Sequence, residues 1–260
     1  MKKSKIAVLV AMVVVLAFSL AACGGSDDKS SSDKTVYKVG TEPTFPPFDT
    51  TDEDQNIVGL DMDLIKAIGE DQGFDVEFEN LSFDGLIPAL KAGNIDIVAA
   101  GMNKDDEDRQ KEVDFSDSYY ESKLFVAVTE DNTTIKSVED LTPDMKVAAQ
   151  TGTTGASKVQ ELKDAGKIKE AVILDGLDTC MMKLINGDVA AVINDKPVTE
   201  AYMKKQPDKI KMVGEALNAE NYGFAVQKGN KELLDKINAG LKNIKDDGTY
   251  DKLVDEWFNK

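Results

Sequence analysis

The sequence predicts an α/β fold built on mainly parallel sheets. Stretches with strand pattern alternate with stretches of helical pattern along most of the 260-residue chain, the arrangement expected of βαβ units. The two halves also echo one another loosely, since each carries a strand that ends in a small, polar turn, "VGTEPTFPPF" and "VAAQTGTTG". The length suits one large domain or two lobes of ordinary size. No fixed-period repeat is present, and "TGTTG" lacks the Lys-Ser/Thr that follows in a phosphate loop.

The first residues stand apart from that pattern. Lys2, Lys3 and Lys5 precede an apolar run from Ile6 to Leu20 and then small residues, the shape of a secretory signal peptide. The run is short for a membrane span. It ends in "LAAC", which resembles the lipobox of bacterial lipoproteins. That resemblance implies removal of residues 1–22, acylation of Cys23, and a domain held at the outer face of the cell membrane by lipid alone. The small, charged stretch that follows, residues 23–35, reads as a flexible tether.

The elements then follow in order. "TVYKVGT" reads as a strand, and "LDMDLIKAIGEDQG" as a helix with Leu60, Leu64, Ala67 and Ile68 on one face and a glycine stop. "FDVEFEN" alternates as a strand, "FDGLIPALKAGN" is a short helix, and "IDIVAAG" is a buried strand. Past "LFVAVTE" comes a second set: "MKVAAQ", "TTGASKVQELKDAG", "IKEAVILD", "LDTCMMKLINGD", "VAAVIND" and "PVTEAYMKKQP". "NYGFAVQKG" is a further strand, and helices are predicted from Lys231 to Lys245 and from Tyr250 to Asn259. The stretch "KDDEDRQKEVDFSDSYY" has no apolar period and reads as a charged surface turn.

Composition narrows the chemistry. The formal charge is −17, and loss of residues 1–22 removes three lysines and no acids, taking it to −20. Such a surface disfavours nucleic acid and anionic membrane. There are no histidines, which removes the commonest general base and metal ligand. Of two cysteines, Cys23 is the expected lipid site and Cys180 is left alone. Cys180 sits among Leu177, Met181, Leu184 and Ile185 at helical spacing, so it reads as a buried structural thiol, not a nucleophile or a zinc ligand. No metal or cofactor is expected.

Several motifs in register carry a resemblance over essentially the whole mature chain: "TEPTFPPFD…IVGLDMDLIKAI", "FDGLIPALKAGNIDIVAAGM", "DRQKEVDFSDSYY", "QTGTTG", "AAVINDKP", "YGFAVQKGN" and "GTYDKLVDEWF". The chain resembles the extracellular substrate-binding proteins of polar amino-acid ABC importers, solute-binding family 3. The resemblance implies the two-lobed, type II periplasmic-binding-protein-like fold, with the ligand between lobes. Lobe one would comprise residues 36–123 and 222–260, lobe two 129–221, with crossover hinge strands at 124–128 and 222–226. The implied partners are a free amino acid and a permease with its cytoplasmic ATPase, and the protein is expected to be a monomer.

The chemistry of such a ligand is demanding. A free amino acid brings a carboxylate and an ammonium on one carbon, and each costs several kcal/mol to desolvate unless it is paired. Arg109 is the chain's only arginine. Alone, an arginine beside acids reads as a surface ion pair worth about 0–1 kcal/mol. The match of "RQKEVDFS" to the family motif implies instead a bidentate clamp on the α-carboxylate. Asp195 in "VINDKP" reads alone as a helix cap before Pro197, and by resemblance as the partner of the ammonium. Thr153 lies in "TGTTG", whose backbone N–H groups open a helix and can serve an anion. Gly101 and Asn103 are implied backbone contacts, and Phe45 and Phe83 match aromatic walls, although pattern alone reads each as core. Phe48 and Trp257 read as structural. Glu42, Gln150 and Thr154 fall where side-chain selectivity is set; Glu42 suits a cationic or amide group, and Gln150 adds hydrogen bonding without charge. Glutamine or arginine is the expected ligand, with cystine an alternative.

Two departures are visible. The family usually carries threonine or serine where this chain has Asn103, and the stretch from Gly101 to Arg109 is one residue longer than the usual pattern. Other classes use related folds. A cyclohexadienyl or arogenate dehydratase would use a carboxylic acid in the same cleft, whereas Arg109 and Asp195 together suit a zwitterion. An amino-acid-sensing receptor domain would normally be followed by a span and a signalling domain, and an adhesive lipoprotein has no use for an amino-acid clamp.

Overall fold

The computed structural model describes residues 34–259; the signal segment, Cys23 and most of the tether lie outside the described residues. The chain opens with β1 (Thr35–Thr41), β2 (Thr50–Thr51), β3 (Ile57–Val58), α1 (Leu60–Gln72), β4 (Phe74–Asn80) and α2 (Phe83–Ala92). It continues through β5 (Ile97–Val98), α3 (Glu107–Glu112), β6 (Val113–Phe115) and β7 (Tyr120–Ser122). A second set comprises β8 (Leu124–Thr129), β9 (Lys146–Gln150), α4 (Thr154–Asp164), β10 (Glu170–Leu174), α5 (Leu177–Ile185), β11 (Ala191–Asp195), α6 (Lys196–Lys205) and β12 (Ile210–Val213). The last elements are β13 (Glu220–Tyr222), β14 (Ala225–Gln227), α7 (Lys231–Asp246) and α8 (Thr249–Phe258).

Two five-stranded sheets organise these elements, ordered β4-β1-β5-β14-β6 and β10-β9-β11-β8-β12. In each, the strands linked by helices pair in parallel, β1 with β4 and β5, and β9 with β10 and β11. The remaining pairs are antiparallel: β14 with β5 and β6, and β8 with β11 and β12. The sheets are therefore mixed rather than mainly parallel. β8 and β14 enter directly from the connections between sheets, without the crossover helix that a parallel neighbour needs.

Those connections are β7 and β13, which pair with each other as a two-stranded antiparallel ladder from Tyr120↔Tyr222 to Ser122↔Glu220. The segment 124–128 expected as a crossover instead lies within β8 of the second sheet, and 222–226 runs from the end of β13 into β14 of the first. Both segments, LFVAV and YGFAV, are unbroken runs without a charged residue, as suits a buried strand, which is why pattern does not separate hinge from sheet.

Helix α1 buries Leu60, Leu64, Ile65 and Ile68 and stops at Gly73 in the left-handed conformation (φ 79°). Helix α7 buries Leu233, Ile237, Leu241 and Ile244 at helical spacing. Each such side chain contributes about 1.5–3 kcal/mol on burial. Gly240 lets α7 lie close on α1, because a Cβ there would sit 2.8 Å from Ile68 Cγ2. Phe48 is fully buried and meets Tyr120, Tyr222 and Phe258 edge-on, with centroids 4.9, 5.1 and 5.7 Å away. This aromatic group packs around the connecting ladder.

Candidate functional site

The carboxyl ends of four strands converge between the sheets, the place where open α/β sheets hold ligands. Glu42 follows β1, Gly101 and Asn103 follow β5, Gln150 ends β9, and Asp195 ends β11. Together with Phe45, Phe83, Arg109, Thr153 and Thr154, and with Ala100 and Glu220, they line one narrow cleft. All ten residues expected from sequence are therefore brought together. A larger, open and mostly apolar groove of about 690 Å³ lies beside α6 and α8, and none of the expected residues lines it.

Arg109 is placed by α3, a six-residue helix within the stretch that pattern reads as a turn. Asp106 caps it, accepting from the N–H groups of Asp108 and Arg109 at 2.9 and 3.0 Å. Arg109 is only 9% exposed and makes no ion pair among the described residues, so the surface-pair reading does not hold. Its guanidinium donates to Asn103 O at 3.1 Å and, across the cleft, to Gly152 O at 2.9 Å, and lies 5.4 Å from the Phe83 ring centroid. Phe83 is half-buried and braces the guanidinium as well as lining the cleft. Burial lowers the Arg109 pKa, while Asp106, Glu220 and Asp195 oppose that shift.

Asp195 occupies the N-cap position of α6, but its side chain makes no capping bond. Its Oδ1 accepts from Ser122 Oγ at 3.0 Å and from the Tyr222 hydroxyl. Burial, then the neighbouring Glu220, pushes the Asp195 pKa well above the usual carboxylate range.

Glu42 is 8% exposed. Its Oε2 accepts from Gln150 Nε2 and from Thr44 Oγ1, both at 2.8 Å. Burial raises its pKa against those two hydrogen bonds, with Asp178 adding to the rise. Glu42 has no ion-pair partner among the described residues. Gln150 also donates to Asp175 O at 3.0 Å, so it spans the cleft from the second sheet to Glu42.

The other expected residues serve the walls. Gly101 has φ 53°, its N–H donates to the buried Asp61 Oδ2 at 2.7 Å, and a Cβ there would meet the Phe45 ring at 2.7 Å. Asn103 uses Oδ1 to accept from Asp105 N at 3.0 Å. That bond closes the turn before α3, and it gives the asparagine a local structural task. Thr153 caps α4 by accepting from Ala156 N at 3.1 Å and donates to Gln150 O at 2.7 Å, so its hydroxyl is engaged. Phe45 is 8% exposed and packs against Phe48 and Tyr222. Trp257 Nε1 donates to Asp63 at 2.8 Å, away from the cleft. Cys180 is buried, which pushes its thiol pKa up to about 12.

Sequence reasoning missed Glu220, Tyr222 and Ser122, which stand on the two connecting strands. Those strands are three residues long, too short for a period to mark which face looks inward. The cleft therefore holds one guanidinium, Arg109, against three carboxyls, Glu42, Asp195 and Glu220. That set fits a ligand bearing one anionic group and more than one cationic group. No metal-binding cluster occurs among the described residues.

Comparison with known proteins places the chain in one family. The family model for bacterial extracellular solute-binding proteins, family 3, matches residues 37–260. A putative ABC transporter arginine-binding protein 2 of Escherichia coli (strain K12) is 34% identical over 266 residues, covering 100% of both chains. Other relatives are named for histidine, cystine and glutamine. Among solved structures, an ancestral arginine-binding protein bound to arginine is 44% identical with a TM-score of 0.82, covering 87% of this chain and 99% of its own. An ancestral amino-acid-binding protein described as a precursor of cyclohexadienyl dehydratase is 39% identical with a TM-score of 0.79, covering 86% of this chain and 95% of its own.

Proposed function

Because the chain belongs to the bacterial extracellular solute-binding proteins, family 3, we propose that it captures a free amino acid with a cationic side chain and delivers it to an ABC-transporter permease. The observation that carries the choice of side chain is Glu42: a buried carboxylate lining the cleft, with amide and hydroxyl partners but no cation among the described residues. A guanidinium or ammonium on the ligand would supply that cation. Arg109 would clamp the α-carboxylate with the donors that its two carbonyl contacts leave free, and Asp195 would take the α-ammonium.

On this reading the protein binds without turnover. Lobe one comprises 36–123 and 222–260, and lobe two 129–221. A ligand touching Arg109 on the first and Asp195 on the second stabilises the closed form by its differential affinity for it. Closure already has protein contacts to build on, since Tyr202 donates to Thr44 O at 3.0 Å and Gln150 to Glu42. The protein would act as a monomer outside the cell, held by a lipid on Cys23, and present its ligand to a permease driven by a cytoplasmic ATPase. No helix among the described residues is long and apolar enough to cross a membrane, which is compatible with a lipid anchor.

Arginine is the favoured ligand. Glutamine satisfies the α-carbon contacts but leaves Glu42 without a cation, and cystine places a second zwitterion there. A thermal-shift screen of the common amino acids and cystine tests the reading: arginine should raise the melting temperature most, by mass action on the folded state. No shift with any of them would refute it.

A further inference from the structure

Asp195 does not face the cleft alone. Glu220, on β13, is 2% exposed and lines the same space, and it is the register partner of Ser122, whose hydroxyl donates to Asp195. Both are held in place. Asn218 Nδ2 donates to Glu220 Oε1 at 2.8 Å, and Asn218 Oδ1 accepts from Leu124 N at 3.0 Å. Leu124 is the register partner of Asp195 across β8 and β11, so the two carboxyls are fixed on one frame. On Asp195 the protein donors, Ser122 and Tyr222, both go to Oδ1. Among the described residues neither Asp195 Oδ2 nor Glu220 Oε2 receives a hydrogen bond. Each carboxyl thus has one oxygen anchored and one without a donor.

Buried carboxyls that face one space repel each other when charged, and a cation between them relieves that repulsion. The titratable and charged groups acting on the pair are Tyr222, which bonds Asp195, and Arg109 from α3, itself faced by Asp106. On the function proposed above, Arg109 is claimed by the ligand's carboxylate, so the pair needs a second positive charge.

We propose that Glu220 is a second acceptor for the ligand's α-ammonium, and that Asp195 gives up a proton to solvent when the ammonium takes its place between the two carboxyls. The inference rests on the amino-acid reading of the cleft and adds to it a residue and a proton. The upward shift of Asp195, caused by burial and by Glu220, is in keeping with it. Because Glu220 and Tyr222 ride on β13 and Ser122 on β7, the ammonium would be read by the strands connecting the two lobes.

Isothermal calorimetry with L-arginine at pH 7, in phosphate and in Tris, tests this. The dependence of the observed enthalpy on buffer ionisation enthalpy counts protons, and close to one proton released per arginine is expected for the wild type. Glu220→Gln should bind about tenfold or more weakly and release close to none, whereas Glu220→Asp should restore part of the release. Arginine binding to the wild type with no proton released would overturn the role of Glu220 and leave the amino-acid reading standing, whether or not the variants fold. Equal release by the wild type and Glu220→Gln would do the same. No binding of arginine or any other amino acid to the wild type would overturn both.

Discussion

Arg109 joins both sides of the cleft through two carbonyls, Asn103 O and Gly152 O, and stacks beside Phe83. A lysine has no planar fork with which to hold those carbonyls and a carboxylate together. Arg109→Lys should therefore weaken arginine binding although the charge is kept. Arg109→Ala should cost about 3–5 kcal/mol, roughly 10²–10⁴ in affinity, by leaving a carboxylate buried and unpaired. Calorimetry returning wild-type affinity in either variant would remove Arg109 from the site. The role expected of Arg109 came from the match of "RQKEVDFS" to the family motif, since an arginine beside acids reads by itself as a surface ion pair. Glu220 was not legible, since a glutamate in an acidic chain carries no mark of burial, and only the fold brings it beside Asp195.

At the scale of the element, the site is a set of strand ends and helix starts. The long amphipathic helices and the seven-residue strands β1 and β4 are visible in sequence because several periods repeat. Helix α3, with the sequence EDRQKE, and the three-residue strands β7 and β13 have no period to detect. They are held by caps and by tertiary pairing. Helix α4 is the element whose start bears most directly on the cleft. Thr153 caps it and also ties it to Gln150 O, and Gln150 reaches Glu42. Thr153→Ala should cost about 1 kcal/mol of stability and weaken ligand binding as well, since Gln150 loses its brace. Urea denaturation and a binding titration read the two effects separately. A loss of stability with unchanged affinity would mean that the cap supports the helix and nothing in the cleft.

At the scale of the molecule, the buried acids behind the cleft make stability depend on pH. Asp61 is fully buried, accepting from Gly101 N and the Tyr119 hydroxyl at 2.7 Å each. Burial pushes its pKa up to about 7, and burial together with repulsion from Asp61 and Glu42 raises that of Asp49 well above the usual range. Their Oδ1 atoms are buried without a hydrogen-bond partner among the described residues. The folded state holds protons that the unfolded chain releases above the ordinary carboxylate range. Stability from Asp61 is thus fully present below about pH 4 and is lost as pH rises through 7, by up to about 1.4 kcal/mol per pH unit. Surface carboxylates such as Asp114, held low by Lys228, act in the opposite sense only at more acidic pH. The urea midpoint should fall between pH 4.5 and 7, and Asp61→Asn should flatten that fall. An unchanged slope in the variant would rule Asp61 out as its source.

The relation of the two halves belongs to this scale as well. Pattern predicted strand-helix alternation in each half, and family resemblance alone implied that the halves face each other across a cleft. No local period records a contact such as Gln150 with Glu42, which are 108 residues apart. The central claim is that this cleft takes a free amino acid through both charges on its α-carbon and a third on its side chain. The most direct measurement is calorimetry of the wild type and Glu42→Gln with L-arginine and with L-citrulline, which replaces the guanidinium by an uncharged group of similar shape. The wild type should prefer arginine by about 10- to 100-fold, as expected for a charge-assisted hydrogen bond, and Glu42→Gln should lose that preference. Equal affinity of the wild type for the two ligands, or a preference that survives in Glu42→Gln, would contradict it.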